Sequence, residues 1–384
     1  MNLRRVTAVA WKEWRETVRD RLFLLMAFLL PTLWMVVFGY GLVLDVEHVP
    51  FAVLDRDRSS LSRDYLYRFI ESRYFDYRGS VENDRDIDRM LGNTSIRAAI
   101  IVPDRFEEEL LAGRPVSVQT LLDGSFPLNA DITKGYVIAV NTAFSQELVT
   151  DYLSRTEGLT PDMARRLVQP VSLETRYLYN EEVKSSWSMV PALIMFTLMV
   201  SSPLLTALGV VREKETGAIY NIYSSTVSRA EFLVGKLVPY SIISAINVVV
   251  LWLIAVVLFR VPFKGSFALF FAASLLFVFC STGIGLVVSL FVRTQMAALI
   301  ITIIIAMIPT ILFSGLLVPV SSLSPGAWVQ AHFFPGMYYT NILRGSFLKG
   351  LGWESIWTDM IALAGIAVAL RVTAYLLFTK RPKV

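Results

Sequence analysis

Cysteine and histidine are nearly missing from this 384-residue chain, which holds one Cys280 and two histidines, His48 and His332. A disulfide framework is therefore excluded, and any domain outside a membrane must be held by its core alone. The two histidines lie in separate regions, and neither a His-Glu-x-x-His run nor a Gly-x-Ser-x-Gly elbow occurs. That leaves no motif for a zinc centre or a hydrolase nucleophile. Asn83, Asp84, Asp86 and Asp88 faintly resemble a calcium loop. Arg89 stands where such a loop needs glycine and Ser95 where it needs a bidentate glutamate, so the run reads as an acidic helix start. A phosphate-cradling loop is also missing: Gly235-Lys236 is followed by Leu237, and Ala230 occupies the first glycine position. No metal and no cofactor are expected in the chain, and if it does vectorial work a partner must supply the energy.

Charge is missing in long blocks as well. Only 18% of residues are charged against 54% hydrophobic, and residues 22–44, 187–211, 237–259 and 265–292 contain no Asp, Glu, Lys or Arg. A bilayer core of roughly 30 Å takes about 20 such residues per helix. Residues 294–343 are free of these charges too, but Pro319, Ser321, Ser322, Ser324, Pro325 and Gly326 break the run. This leaves a span near 295–319 and an apolar remainder at 327–350, and a last span, near 359–378, carries Arg371. The expected fold class is a polytopic α-helical membrane protein with six transmembrane helices. The first span has too long an apolar core for a cleaved signal peptide, and acidic Glu13, Glu16 and Asp20 precede it, so it reads as an anchor.

Lys and Arg in the short flanks set the orientation. With the N-terminus inside, residues 1–21, 212–236, Arg293 and the C-terminal tail 379–384 carry most of them, against Arg260, Lys264, Arg344 and Lys349 outside. Both termini are thus expected in the cytoplasm, and residues 45–186 outside it. That long segment alternates strand-like and helix-like pieces: a strand at Phe51–Leu54, a helix at Leu61–Ser72 and a buried strand at Arg97–Val102. A helix from Pro103 to Leu111, a strand from Val116 to Leu122 and a long helix from Asn129 to Ser154 follow. This is the pattern of a mixed α/β domain. Residues 2–20 read as an amphipathic helix, with Leu3, Val6, Ala10, Trp11, Trp14 and Val18 on one face and arginines on the others. It suits the headgroup plane, although a plain basic flank has the same composition.

Between the second and third spans lies a short segment dense in charge, with Arg212, Glu213, Lys214, Glu215 and Gly217 at one end and Arg229, Glu231 and Lys236 at the other. Its middle holds Ile219, Tyr220, Ile222 and Tyr223. A solvated turn has no need of four large apolar side chains, so the segment is expected to be gripped by something outside the bilayer.

The order of these pieces resembles the type-2 ABC exporter permeases over essentially the whole chain. It is most similar to the bacterial subgroup with a large periplasmic domain between the first and second spans. The matching pieces are Lys12-Glu13-Trp14-Arg15, Arg212-Glu213-Lys214-Glu215-Thr216-Gly217, and Ser228-Arg229-Ala230-Glu231-Phe232 with Gly235-Lys236. Later come Phe334-Pro335-Gly336-Met337-Tyr338 and the run from Leu343 to Gly350. The resemblance implies an efflux subunit of the bacterial inner membrane that works in pairs, as a dimer of two copies or with a paralogue. A separate cytoplasmic ATPase would bind ATP and Mg, and a periplasmic membrane-fusion adaptor is a further partner in the subgroup. By the same resemblance, 1–21 is a connecting helix, the 212–236 segment a coupling loop, and 327–350 an outer re-entrant hairpin. Many relatives carry Glu near Tyr220 and Thr-Pro in place of Ser225-Thr226, so either the docking contact would differ in detail or the coupling would be shared unequally with a second, non-identical permease.

The family lines its exit path with the second and fifth spans, which here offer Met195, Phe196, Met199, Met307 and Phe313. Thioethers and aromatics suit bulky, amphiphilic or drug-like cargo, and would equally make a plain helix interface. An outer gate is expected from Phe333, Phe334, Pro335, Met337, Tyr338, Arg344 and Phe347, with Arg344 tied to Glu354 or Asp359. Arg371 is left either to snorkel or to find an interior partner. Two other classes remain: a membrane receptor whose outer domain binds a ligand, and a lipid-acting membrane enzyme. The first lacks an output module and the second lacks a nucleophile or metal cluster.

Overall fold

The computed structural model describes residues 1–41, 46–171, 175–218 and 226–378. The chain divides into two compact units, Asp45–Arg176 and a helical unit made of Met1–Leu44 with Tyr177–Val384.

The chain opens with helix α1 (Leu3–Arg19), capped by the side chain of Asn2, which accepts from the Arg4 amide. Asp20 breaks the helix and its carboxylate accepts the Phe23 amide at 3.1 Å. The apolar helix α2 (Arg21–Gly41) follows.

The inserted unit is mixed α/β, as its alternating pattern predicts. Its order is β1 (Val49–Asp55), α3 (Ser60–Ile70), β2 (Phe75–Ser80), α4 (Asp84–Gly92), β3 (Ala98–Val102), α5 (Phe106–Leu111), β4 (Gln119–Leu122), α6 (Pro127–Thr156) and α7 (Pro161–Val168). Among the described residues the strands form one sheet in the order β2-β1-β3-β4. β1 runs parallel to both β2 and β3, and β4 closes the sheet antiparallel to β3. β3 reads Ala-Ala-Ile-Ile-Val and is buried throughout, as a strand covered on both faces must be. Phe51, Tyr65, Phe69, Phe75, Phe106 and Phe144 fill one side of the sheet. Ala52, Leu54, Ile87, Ile96 and Ile101 fill the other. Strand β2 has no apolar alternation to announce it: only Phe75 is buried, and the rest of the strand is a partly solvated edge. The helix expected from Pro103 begins at Phe106 instead, because Arg105 takes a left-handed backbone (φ 62°) that a helix cannot contain.

The helical unit resumes with α8 (Ser185–Glu215), α9 (Arg229–Leu253, prolonged by a π turn at Ile254–Leu258), α10 (Phe267–Phe291) and α11 (Gln295–Phe313). Two short helices, α12 (Pro325–His332) and α13 (Pro335–Arg344, prolonged by a π turn at Gly345–Lys349), precede α14 (Trp353–Leu377). Among the described residues, six helices are long and apolar enough to cross a membrane: α2, α8, α9 with its π turn, α10, α11 and α14. Their limits differ from the charge-free runs for physical reasons. α8 carries on a full turn past residue 211, and α9 begins eight residues before 237 at a capping box of Ser228 and Glu231. α11 stops at Phe313, and the left-handed Gly315 (φ 79°) turns the chain before residue 319 is reached.

Helix α8 is the centre of the bundle. In its most apolar stretch 94% of residues are buried, against 22% in α11 and α14. In lipid there is no hydrophobic drive between helices, so close approach and hydrogen bonds must hold them together. At Gly285 of α10, an added Cβ would sit 2.2 Å from the Pro203 carbonyl oxygen of α8, which shows how near the two backbones come. Asn247 of α9 donates its side-chain amide to the Ala27 carbonyl of α2 at 2.8 Å. Ser274 of α10 shares a 2.7 Å hydrogen bond with Tyr339 of α13, whose ring stacks on Phe277 at 4.2 Å.

Gly285→Val should force α8 and α10 apart, because the obstacle is backbone and cannot rotate away. Overpacking typically destabilises by about 1–3 kcal/mol. The expected result is a lower unfolding temperature in detergent, read by thermal unfolding, whereas Gly365→Ala, at an open position, should leave it unchanged.

Candidate functional site: a charged hub at the end of the central helix

The four charged residues that end α8 point to four different places. Arg212 reaches Asp20, between α1 and α2, at 2.7 Å. Glu213 is buried, accepts from Lys12 of α1 at 2.8 Å and forms an ion pair with Lys236 of α9 at 3.3 Å. Lys214 donates to the Ser289 carbonyl and lies 3.4 Å from that of Leu290, at the C-terminal end of α10. Free carbonyls and the negative end of the helix dipole make that a natural seat for an ammonium group. Glu215 accepts from the amide and side chain of Gln295, at 3.2 and 2.8 Å, where α11 begins. One turn of helix thus fastens the central helix to five others.

Lys236 lies at the middle of this hub. It is 1% exposed, and its ammonium group meets Glu13 at 2.5 Å, the Gly209 carbonyl at 3.1 Å and Glu213. The second carboxylate oxygen of Glu13 accepts the Tyr240 hydroxyl. Tyr240 fits only because residue 209 is glycine: a Cβ there would fall inside the phenol. Lys12, at the edge, also lies 3.6 Å from Glu16. Burial alone would lower the affinity of Lys12 for its proton. The hydrogen bond and charge of Glu213, aided by Glu16 and Glu13, reverse that and hold its pKa above the ordinary value. The Phe23 amide, with help from Arg212, holds Asp20 below its own. Oxygens of Glu13, Glu16 and Glu213 come within 4.8 Å of one another. The two lysines already bridge these carboxylates and supply the positive charge. A cavity of about 720 Å³ opens beside the hub, lined by Lys12, Glu16, Asp20, Arg212, Glu213 and Tyr240 among others.

The same carboxylate logic fixes α1. Glu231 accepts the Ser228 amide at 2.9 Å and the Asn2 amide at 2.6 Å, so one side chain caps α9 and anchors the start of α1. Arg5 donates to the Thr226 carbonyl at 2.7 Å. Val6, Glu13 and Thr17 face inward, and at Gly235 an added Cβ would lie 2.7 Å from Val9. Leu3, Trp11 and Val18, expected on the same face as Val6, are exposed instead. The helix is therefore two-faced, with one side on protein and a tryptophan-bearing side free for a headgroup layer.

These positions correct one expectation. Glu213 and Glu231 are buried, and Arg212, Lys214 and Glu215 are engaged within the chain, so these five serve internal joints before any outside grip. Arg229 is exposed, and Gly217 (φ 76°) turns the chain after the helix. Ile219, Tyr220, Ile222 and Tyr223 lie outside the described residues. Sequence reasoning missed Glu13, Lys236 and Tyr240 as hub members. The signal was there in Lys236, a lone ammonium inside the run Phe232–Tyr240.

The other expected sites are partly dispersed. Met195, Phe196 and Met199 are buried in the bundle core, with Met307 packed against it and Phe313 partly exposed. Within one chain they form a helix interface, not an open path. Of the expected gate, Phe347 is buried against Phe263 and Phe270, with ring centroids 5.1 and 5.9 Å away, and Pro335 and Met337 are buried as well. Phe333 is 80% exposed, while Phe334 and Tyr338 are partly so. Arg344 does not pair with Glu354 or Asp359. It donates to the Gly315 carbonyl at 2.8 Å, capping the chain that leaves α11.

Compared with known proteins, residues 21–376 match the family described as ABC-2 family transporter protein. The chain belongs to the ABC-2 transporter family. It is 28% identical to the probable multidrug ABC transporter permease YbhS of Escherichia coli K12, over 91% of this chain and 90% of that one. It is 25% identical to the probable multidrug ABC transporter permease YbhR of the same strain, over 92% of each. The inner membrane transport permease YhhJ of that strain is 24% identical over 86% of this chain and 85% of its own. The type-2 ABC permease resemblance and the six-helix class with a mixed sheet region therefore stand together, and the ABC-2 chain described here is a transport permease.

The hub yields a stability prediction. Lys236→Met should leave the Glu13 and Glu213 carboxylates buried without their ammonium, a loss on the order of 3–5 kcal/mol for a broken buried pair. Lys236→Met combined with Glu13→Gln should recover part of it. Arg229→Ala, exposed, should cost nothing. Thermal unfolding of the purified variants checks all three.

Proposed function

We propose that this ABC-2 permease is the membrane half of an ATP-driven exporter that moves amphiphilic or drug-like cargo. A separate cytoplasmic ATPase would power it, binding at the segment between Ala218 and Thr226. The observation that carries the reading is the hub. Glu13, Lys236, Glu213 and Lys12 join α1, α8 and α9 around the two stems of that segment. A push there moves three helices as one body, and α8, the most buried helix, carries it into the bundle. The work of a partner thereby reaches the membrane core without a nucleotide site in this chain.

The cargo class draws on the relatives named multidrug permeases and on the sulfur and aromatic side chains of α8 and α11. The pair expected of the family would form with a second copy or a paralogue. α11 offers an exposed apolar row for it in Met296, Ile300, Ile304, Ile308 and Leu312. Phe333, Phe334 and Tyr338 at the α12–α13 junction are the groups left to act as an outer gate. The excess of Lys and Arg on the α1 side supports an inner-membrane placement with both termini cytoplasmic and the α/β unit outside, where an adaptor could meet it.

Two experiments test this. A reporter active only outside the cytoplasm should work when fused after Asp123 and fail at Ser224 or Val384; activity at Ser224 would reverse the topology. When the permease is reconstituted with its copurifying ATPase, Glu213→Gln should lower transport per ATP hydrolysed several-fold while the ATPase still binds. Unchanged stoichiometry would detach the hub from coupling.

A further inference from the structure

Arg371 has no counter-ion among the described residues. It sits in α14, six residues before the helix ends at Leu377. That is about 9 Å of helical rise. Among the described residues it makes no ion pair. Its guanidinium donates to the Phe279 carbonyl of α10 at 3.3 Å and lies over the Phe279 ring at 4.8 Å. One long bond to a carbonyl and an aromatic face use few of its five N–H donors. An arginine cannot shed its charge as lysine can, so in hydrocarbon it needs an anion, water or a path to the interface.

The surroundings decide among these. Arg371 opens into a groove of about 350 Å³ walled by Val234, Leu237, Val238, Ser241, Ile242 and Ala245 of α9 and by Leu275 and Phe279 of α10. That volume lies within the ~300–1,000 Å³ usual for small-molecule sites. The wall holds no carboxylate, and Ser241 is its one other polar side chain. Val234 to Ala245 begins five residues into α9, next to the end that carries α1. Phe279 and Leu275 lie near the middle of α10, so the groove runs from the α1 side of the membrane to about the centre of the bilayer. A water-filled crevice would be lined by polar groups, and this one is apolar apart from its arginine. Val238, Ile242 and Phe279 are exposed along it, so its mouth faces the lipid. The shape and charge match a molecule with one anionic end and a hydrocarbon body.

We propose that the groove between α9, α10 and α14 is a binding site for an anionic phospholipid of the leaflet on the α1 side. Its phosphate pairs with Arg371 and an acyl chain lies along Val238, Ile242, Ala245 and Leu275. Bidentate pairing of guanidinium with phosphate satisfies the donors that the protein leaves open. The site is separate from the hub and from the α8 and α11 residues considered for cargo. Binding would clamp α9 to α14 across α10, giving the exporter a dependence on lipid charge.

The full-length permease, purified in a mild detergent, is titrated with dioleoylphosphatidylglycerol or dioleoylphosphatidylcholine. Bound lipid is read by native mass spectrometry, and stabilisation by thermal unfolding. The expected result is one tightly held phosphatidylglycerol per chain, with an accompanying rise in unfolding temperature that phosphatidylcholine does not produce. Arg371→Leu should weaken phosphatidylglycerol retention by about tenfold or more and abolish the rise, because a charge-assisted pair is lost. Arg371→Lys should retain part of both. Ser241→Trp, which fills the groove and leaves the arginine, should also displace the lipid. Equal retention of the two lipids, or wild-type retention by Arg371→Leu, overturns the proposal. So does tight binding of oleate in place of phosphatidylglycerol, which would make the site one for a single-chain anion. A disulfide between Ser241→Cys positions of two copies would put a second chain over the groove and overturn it equally.

Discussion

A positive charge buried at the edge of the bilayer constrains everything around it. Lys236 cannot reach water, so two carboxylates from different helices, Glu13 of α1 and Glu213 of α8, must come to it, and the Gly209 carbonyl, also of α8, takes a remaining donor. Each carboxylate then needs partners of its own, which recruits Tyr240 and Lys12. The requirement that buried charge be paired thus propagates from one side chain to α1, α8 and α9. Removing any single member leaves another stranded, so the group is retained or lost as a set. This explains why α1 lies folded onto the bundle, and why the last turn of α8 stays helical through four consecutive charged residues.

The frame beyond the hub obeys the same economy of satisfied groups. Where α10 ends, its free carbonyls take Lys214; where α11 begins, its free amides meet Glu215 and Thr294. Arg344 does the same for the carbonyl of Gly315, where α11 has just ended. Within the bundle, hydrogen bonds such as Asn247 to Ala27 and close approaches such as Gly285 to Pro203 supply what hydrophobic contact cannot in lipid. The inserted α/β unit is built on other physics. There an ordinary apolar core on both faces of a mostly parallel sheet does the holding, with no disulfide and little buried charge.

Much of this was legible in the sequence because each long span announces itself by the absence of charge. The strands β1 and β3 were legible too, since Phe51–Leu54 and Ala98–Val102 are continuous apolar runs. β2 was not, because an edge strand reading Phe-Asp-Tyr-Arg-Gly-Ser has no alternation. The site was harder. Composition marks Arg212–Glu215 as charged but says nothing of direction, and charge near a membrane end reads as facing water. Direction came from partners that lie far away in the chain: Glu13 is 223 residues from Lys236, and Gln295 is 80 from Glu215. Phe347 and Met337 were misplaced for the converse reason, since aromatic and sulfur side chains look alike whether they line a gate or fill a core.

The fastening of both stems has a consequence for how a substitution spreads through the hub. Residues 212–217 are held by α1, by Asp20 at the α1–α2 joint, by α10 and by α11, and residues 228–236 by α1 and α8. Both stems are clamped to α1, through Lys12 on Glu213 and the Asn2 amide on Glu231, so a change in α1 is felt at both ends of the segment at once.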